Sequence, residues 1–220
     1  MSQQPTLIAK TRARTTVLLI TAAALALSAC TGPAGAEPSA SPAPVASATA
    51  IESPTPSPTS SAEATYKPAT EDGPAENVPV PELPKAATIK TADGLTAFGQ
   101  HWLAAVSYAY ESGDLRPLHG ISGDGCTVCR EVSKTVNEWM TDGHWIAGGK
   151  VELVTSQTAF QATEQDRYQV VLHFSQDELR FYLPDGSLNN SVDQHDSLLM
   201  MEATFSEGSW TADVVELMDS

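Results

Sequence analysis

The chain has 220 residues, with 12 Lys and Arg against 27 Asp and Glu, and a formal net charge of −15 at pH 7. This length suits one domain of ordinary size plus extensions. The acidity repels phosphate backbones and anionic headgroups, so no nucleic acid is expected among its partners.

The N-terminus reads as a secretory signal. Lys10, Arg12 and Arg14 precede an apolar run from Thr15 to Ala29, and Leu27-Ser28-Ala29-Cys30 follows the pattern of a lipobox. A membrane-spanning helix needs about 20 apolar residues, and this run is shorter. A small-residue cleavage site does not by itself require cysteine, whereas the Cys30 thiol accepts a diacylglyceryl group through a thioether. The expectation is therefore cleavage between Ala29 and Cys30, removal of residues 1–29, and lipid on Cys30. Two or more acyl chains anchor a protein stably, which one does not. The expected location is the extracytoplasmic face of the cell membrane. Without the signal the charge becomes −18, from 9 basic and 27 acidic residues.

Residues 30–87 read as a disordered tether. Pro, Ala, Ser, Thr and Glu dominate, as in Ser53-Pro54-Thr55-Pro56-Ser57-Pro58. So few large apolar side chains cannot offset the entropy cost of ordering the backbone. A flexible chain of this length spans about 40 Å, and a polyproline-like one approaches ~175 Å. It would hold the domain of residues 88–220 away from the membrane.

Large apolar residues become frequent from Leu95. Leu95, Phe98, Trp102, Val106 and Tyr110 recur at helical spacing, with Thr91 as cap and Gly113 as stop. Asp114 starts a short second turn through Leu118. A third helix is predicted from about Asp124 to Asp142, with Val128, Val132, Val136 and Met140 inward. The period then changes to two. Strands are predicted around Val151–Thr155, Tyr168–Phe174, Leu179–Leu183, Leu199–Phe205 and Trp210–Leu217, the last two joined at Glu207-Gly208-Ser209. Helices followed by a meander imply an α+β domain.

The order resembles the nuclear transport factor 2-like class, in which N-terminal helices pack on a curved antiparallel sheet to form a cone. The Thr91-Ala92-Asp93-Gly94-Leu95 start, Phe98, Trp102, Tyr108, Gly113-Asp114, Cys126-Thr127-Val128-Cys129 and the Asp142-Gly143 to Gly148-Gly149 segment also resemble a family of actinobacterial surface lipoproteins. That family brings no activity with it. The cone resemblance implies a pocket at its open end, for which Trp102, His101, Tyr108 and Trp145 are the candidate lining.

Cys126 and Cys129 admit three chemistries. Residues three apart in a helix bring their Cα atoms about 5 Å apart, within disulfide range, and an exported protein meets an oxidising compartment. A thiol–disulfide oxidoreductase would use the same C-x-x-C, but after a strand in a βαβ unit. A zinc site would need four ligands, so no metal and no other cofactor is expected. Five histidines stand outside any recognisable catalytic pattern, and there is no G-x-S-x-G, H-E-x-x-H or phosphate-binding glycine loop. The expected function is non-enzymatic: an anchored module binding a cell-wall component, small molecule or protein. The alternative is an enzyme using the cone pocket for acid–base chemistry, or the cysteine pair.

Overall fold

The computed structural model describes residues 64–218; the signal, Cys30 and most of the expected tether lie outside them. The elements are a 3-10 turn η1 (Lys85–Thr88), helices α1 (Ala92–Ser112) and α2 (Arg116–Gly120), strand β1 (Ser122–Cys126), and helix α3 (Thr127–Trp139). Seven strands follow: β2 (Trp145–Gly148), β3 (Val151–Gln157), β4 (Tyr168–Gln176), β5 (Leu179–Tyr182), β6 (Leu188–Val192), β7 (His195–Ser206) and β8 (Ser209–Leu217). The fold is α+β.

Helix α1 forms as its sequence dictates. Thr91 Oγ1 accepts from the Gly94 amide, and Gly113 ends the helix in the left-handed region at φ 74°. Leu95, Phe98, Trp102 and Val106 are buried against β3 and β4, while α3 packs Val132 and Val136 into the same core beside β8. Opposite them stand Val170 and Leu172 of β4, Leu199 and Met201 of β7, and Val215 of β8. The β7–β8 hairpin turns at Glu207 and Gly208, both at positive φ, as its Glu-Gly-Ser sequence suggests. At this end Phe160, Tyr168 and Phe205 gather around buried Trp210.

Three features depart from the sequence expectation. The third helix was predicted from Asp124, but Ser122–Cys126 is a strand, and the helix begins only at Thr127. This strand runs parallel to β8, pairing Gly125 with Val214 and Cys126 with Val215, so the five-stranded sheet β1-β8-β7-β4-β3 is mixed rather than antiparallel. Gly125 permits the approach, since a Cβ there would stand 2.5 Å from the Asp213 carbonyl oxygen.

Second, β5 leaves the meander. It pairs with β2 and β6, neither predicted, in a separate three-stranded sheet. One face of that sheet packs Ile146, Leu179 and Phe181 on Tyr110, Trp139 and Met140. Its other face carries Trp145, Ala147 and Tyr182.

Third, residues 64–87 are not tether: they lie on the domain. Lys67 and Glu76 bridge through their backbones, buried Ala69 packs with Trp145, and Trp145 Nε1 donates to the Thr70 carbonyl at 2.8 Å. The Tyr66 hydroxyl bonds Glu111 of α1, and Ala87 is fully buried. The segment supplies little apolar bulk of its own. It instead supplies small side chains and carbonyl acceptors to aromatics that the domain already holds, a contribution invisible to a hydrophobicity count.

His101 lies buried on α1 with Nδ1 unpartnered. Burial holds its pKa below the ordinary 6.5, while the nearby Glu82 carbonyl pulls upward. The folded state therefore keeps a neutral ring, whereas the unfolded chain takes up a proton near 6.5. Stability from this group is complete above that value and is lost as pH falls below it through the lowered folded pKa. Urea titrations should show the unfolding free energy dropping from pH 7 to pH 5, with a shallower drop in His101→Gln. Parallel profiles for the two proteins would refute this.

Candidate functional site

An apolar cavity of about 440 Å³ opens between the two long helices and the five-stranded sheet, within the size range of small-molecule sites. Helix α1 contributes Trp102, Leu103, Val106 and Tyr110, and the first turns of α3 contribute Thr127, Val128, Glu131 and Val132. Val151, Phe174 and Leu199 form the sheet wall, with Glu216 and Leu217 at the end of β8. Trp102 is fixed by its Nε1, which donates to Ser122 Oγ at 2.9 Å.

Polar groups meet at one corner. Gln176 and His195 are register partners on β4 and β7, and both line the cavity. The His195 ring stands edge-on to Phe174 at 6.5 Å, with Nδ1 against the Asp193 carbonyl at 3.2 Å. Gln176 is only 8% exposed, and its Nε2 has no hydrogen-bond partner among the described residues. The Tyr110 hydroxyl lies beside this amide without closing a hydrogen bond of good geometry. Burial raises the Tyr110 pKa, the amide opposing it, so the phenol stays neutral and keeps its proton to donate.

Of the four pocket residues expected from sequence, only Trp102 lines this cavity. His101 and Tyr108 share its helix but not its face, because successive residues are about 100° apart around the axis. Tyr108 belongs to a groove shared with residues 66–81 and hydrogen-bonds Asp114, while Trp145 stacks on Tyr182 at 5.4 Å in the small sheet. The missed residues left a signal. Val106 and Tyr110 continue the Trp102 face at i+4 and i+8. Gln176 is polar where the alternation Val170, Leu172, Phe174 calls for another apolar side chain.

The Cys126–Cys129 disulfide is formed, with Cα atoms 5.3 Å apart and both residues buried. Cys126 is the cap of α3 rather than part of its first turn. The bond therefore ties the end of β1 to the helix turn that carries Thr127 and Val128 into the cavity wall. Closing so short a loop contributes about 2 kcal/mol in the chain-entropy model. Nearby, His119 Nε2 lies 2.7 Å from Ser133 Oγ, a contact that invites a nucleophile–base reading. Ser133 already donates its proton to the Cys129 carbonyl at 2.6 Å, so His119 is the donor in that contact and does not activate the hydroxyl. Among the described residues, no three His, Cys, Asp or Glu side chains converge as metal ligands, and no helix is long and apolar enough to cross a membrane.

No curated protein matches the sequence. Among solved structures, the chain is similar to the intermembrane-space region of the chloroplast protein ARC6 (12% identity, TM-score 0.39, covering 59% of this chain and 98% of that one). It is also similar to a periplasmic fragment of TraM (10%, 0.38, 60% and 100%) and to a calcium/calmodulin-dependent protein kinase II association domain from Xanthomonas campestris (11%, 0.35, 59% and 89%). Likenesses this distant assign no activity. The family model of unknown function DUF6318 matches residues 64–216, and the chain belongs to that family.

Proposed function

We propose that this protein is a lipid-anchored extracytoplasmic binding module whose ligand site is the cavity between α1, α3 and the large sheet. The observation that carries the binding assignment is the cavity itself, an apolar chamber with a buried, unpartnered amide in its wall. A core built only for stability would fill such a space, because empty volume forfeits packing. Helices packed on one sheet are compatible with the nuclear transport factor 2-like resemblance, which implies a pocket of this general kind.

The address rests on the lipobox Leu27-Ser28-Ala29-Cys30 behind a basic and then apolar leader. A closed disulfide in the domain suits an exported protein. The anchor at Cys30 would hold the module on the membrane, leaving the cavity free for a ligand, while the acidic surface argues against nucleic acid. Cys30→Ser should move the protein from the membrane and detergent phase to the soluble fraction, with folding of the domain unchanged. Retention of the variant in the detergent phase would show that Cys30 is not the anchor.

A further inference from the structure

Resting on the cavity assignment above, we infer that the ligand is an uncharged, mainly apolar molecule with a hydrogen-bond-accepting oxygen, bound by the Gln176 amide. The cavity selects against charge. Its lining holds no Lys or Arg, and its carboxylate residues, Glu131 and Glu216, are both exposed. An anion would enter an acidic protein with no Lys or Arg in the lining to meet it, and a cation would find no buried counter-ion. Both lose hydration without replacement.

Within the lining, Gln176 marks where the ligand's one polar atom belongs. Its neighbours on the same face of β4, Leu172 and Phe174, are apolar, and its Nε2 is buried without a hydrogen-bond partner among the described residues. A buried donor left unpaired is costly, whereas pairing it recovers a net hydrogen bond. The terminal amide torsion is broad, so a modest rotation turns Nε2 towards an oxygen in the cavity. The neutral Tyr110 hydroxyl beside it offers a second donor to the same atom.

The test uses three probes of one shape: 2-acetylnaphthalene, 2-ethylnaphthalene and 2-naphthoate. They are titrated calorimetrically into the Cys30→Ser chain with its disulfide intact, which needs no detergent. The ketone should bind, and the carboxylate at least about 10-fold more weakly. Gln176→Met, close in shape but without a donor, should weaken the ketone about 5- to 10-fold while leaving the hydrocarbon unchanged or tighter. Gln176→Leu should repeat the pattern, and retained hydrocarbon binding reports that the cavity survives in each variant. Equal losses for ketone and hydrocarbon, or tighter binding of naphthoate than of ketone, would overturn the ligand class and leave the cavity assignment standing. No binding by any of the three would overturn both.

Discussion

Trp102→Ala should lower the unfolding free energy by about 3–5 kcal/mol, the range for emptying a large aromatic site in a core. The side chain is fully buried on α1 and packs where both long helices meet the sheet. A typical domain has about 5–15 kcal/mol in total, so the variant should be partly unfolded at physiological temperature. The lost bond from Nε1 to Ser122 Oγ is the smaller part. Ser122 still donates to the Leu118 carbonyl, so only an acceptor goes unused. Trp102→Phe should therefore cost well under half as much. Urea midpoints at constant m-value separate the two variants, and an alanine loss below about 1 kcal/mol would mean that the cavity collapses onto the gap.

Gly94→Ala should destabilise the domain by about 2–3 kcal/mol, although helix propensity alone favours alanine by about 1 kcal/mol. The reason is contact rather than conformation. A Cβ on Gly94 would fall 2.0 Å from the Ile89 carbonyl oxygen and 2.9 Å from that of Ala86, both backbone atoms that cannot swing aside. Ile89 O also accepts from Trp210 Nε1 at 3.3 Å and from the Thr91 amide at 2.9 Å, so pushing it away loosens the hairpin end of the sheet as well. Gly120→Ala is the control. Its Cβ would enter open space, and its effect should stay within about 0.5 kcal/mol. Thermal or urea unfolding showing equal stabilities for the two variants would remove this account of the Thr91–Leu95 start.

Much of the fold was legible because much of it is local. Thr91 and Gly113 bound α1 through hydrogen bonds to residues three and four positions away, and the β7–β8 hairpin is set by Glu207-Gly208. The alternation along β4 needs only one buried face. The disulfide was legible for the same reason, since a separation of three residues keeps the two Cα atoms within bonding range even though Cys126 caps the helix instead of lying in its first turn. The illegible parts depend on partners remote in sequence. Strand β1 is held by β8, some ninety residues later, and its Ser-Gly-Asp-Gly sequence has no strand propensity of its own. Strand β2 is held by β5, more than thirty residues later. Strand β6 pairs with β5 across a short turn, but its Leu-Asn-Asn-Ser-Val sequence carries little strand signal of its own.

The candidate site divides along the same line. Trp102 stood out as a large aromatic on a helical stripe, and Val106 and Tyr110 could be placed on its face by period alone. That this stripe walls a cavity rather than a filled core depends on the distance between helix and sheet. No periodicity encodes that separation. By itself the sequence determined the α+β class and the spacing that lets Cys126 meet Cys129, and it is the whole basis for the proposed lipid anchor, all from neighbouring residues or composition. Tertiary structure alone decided the mixed sheet, the docking of residues 64–87 and the meeting of Gln176 with Tyr110 and His195. Each of these needs segments from distant parts of the chain to be brought together, and burial of the shared core is what brings them there.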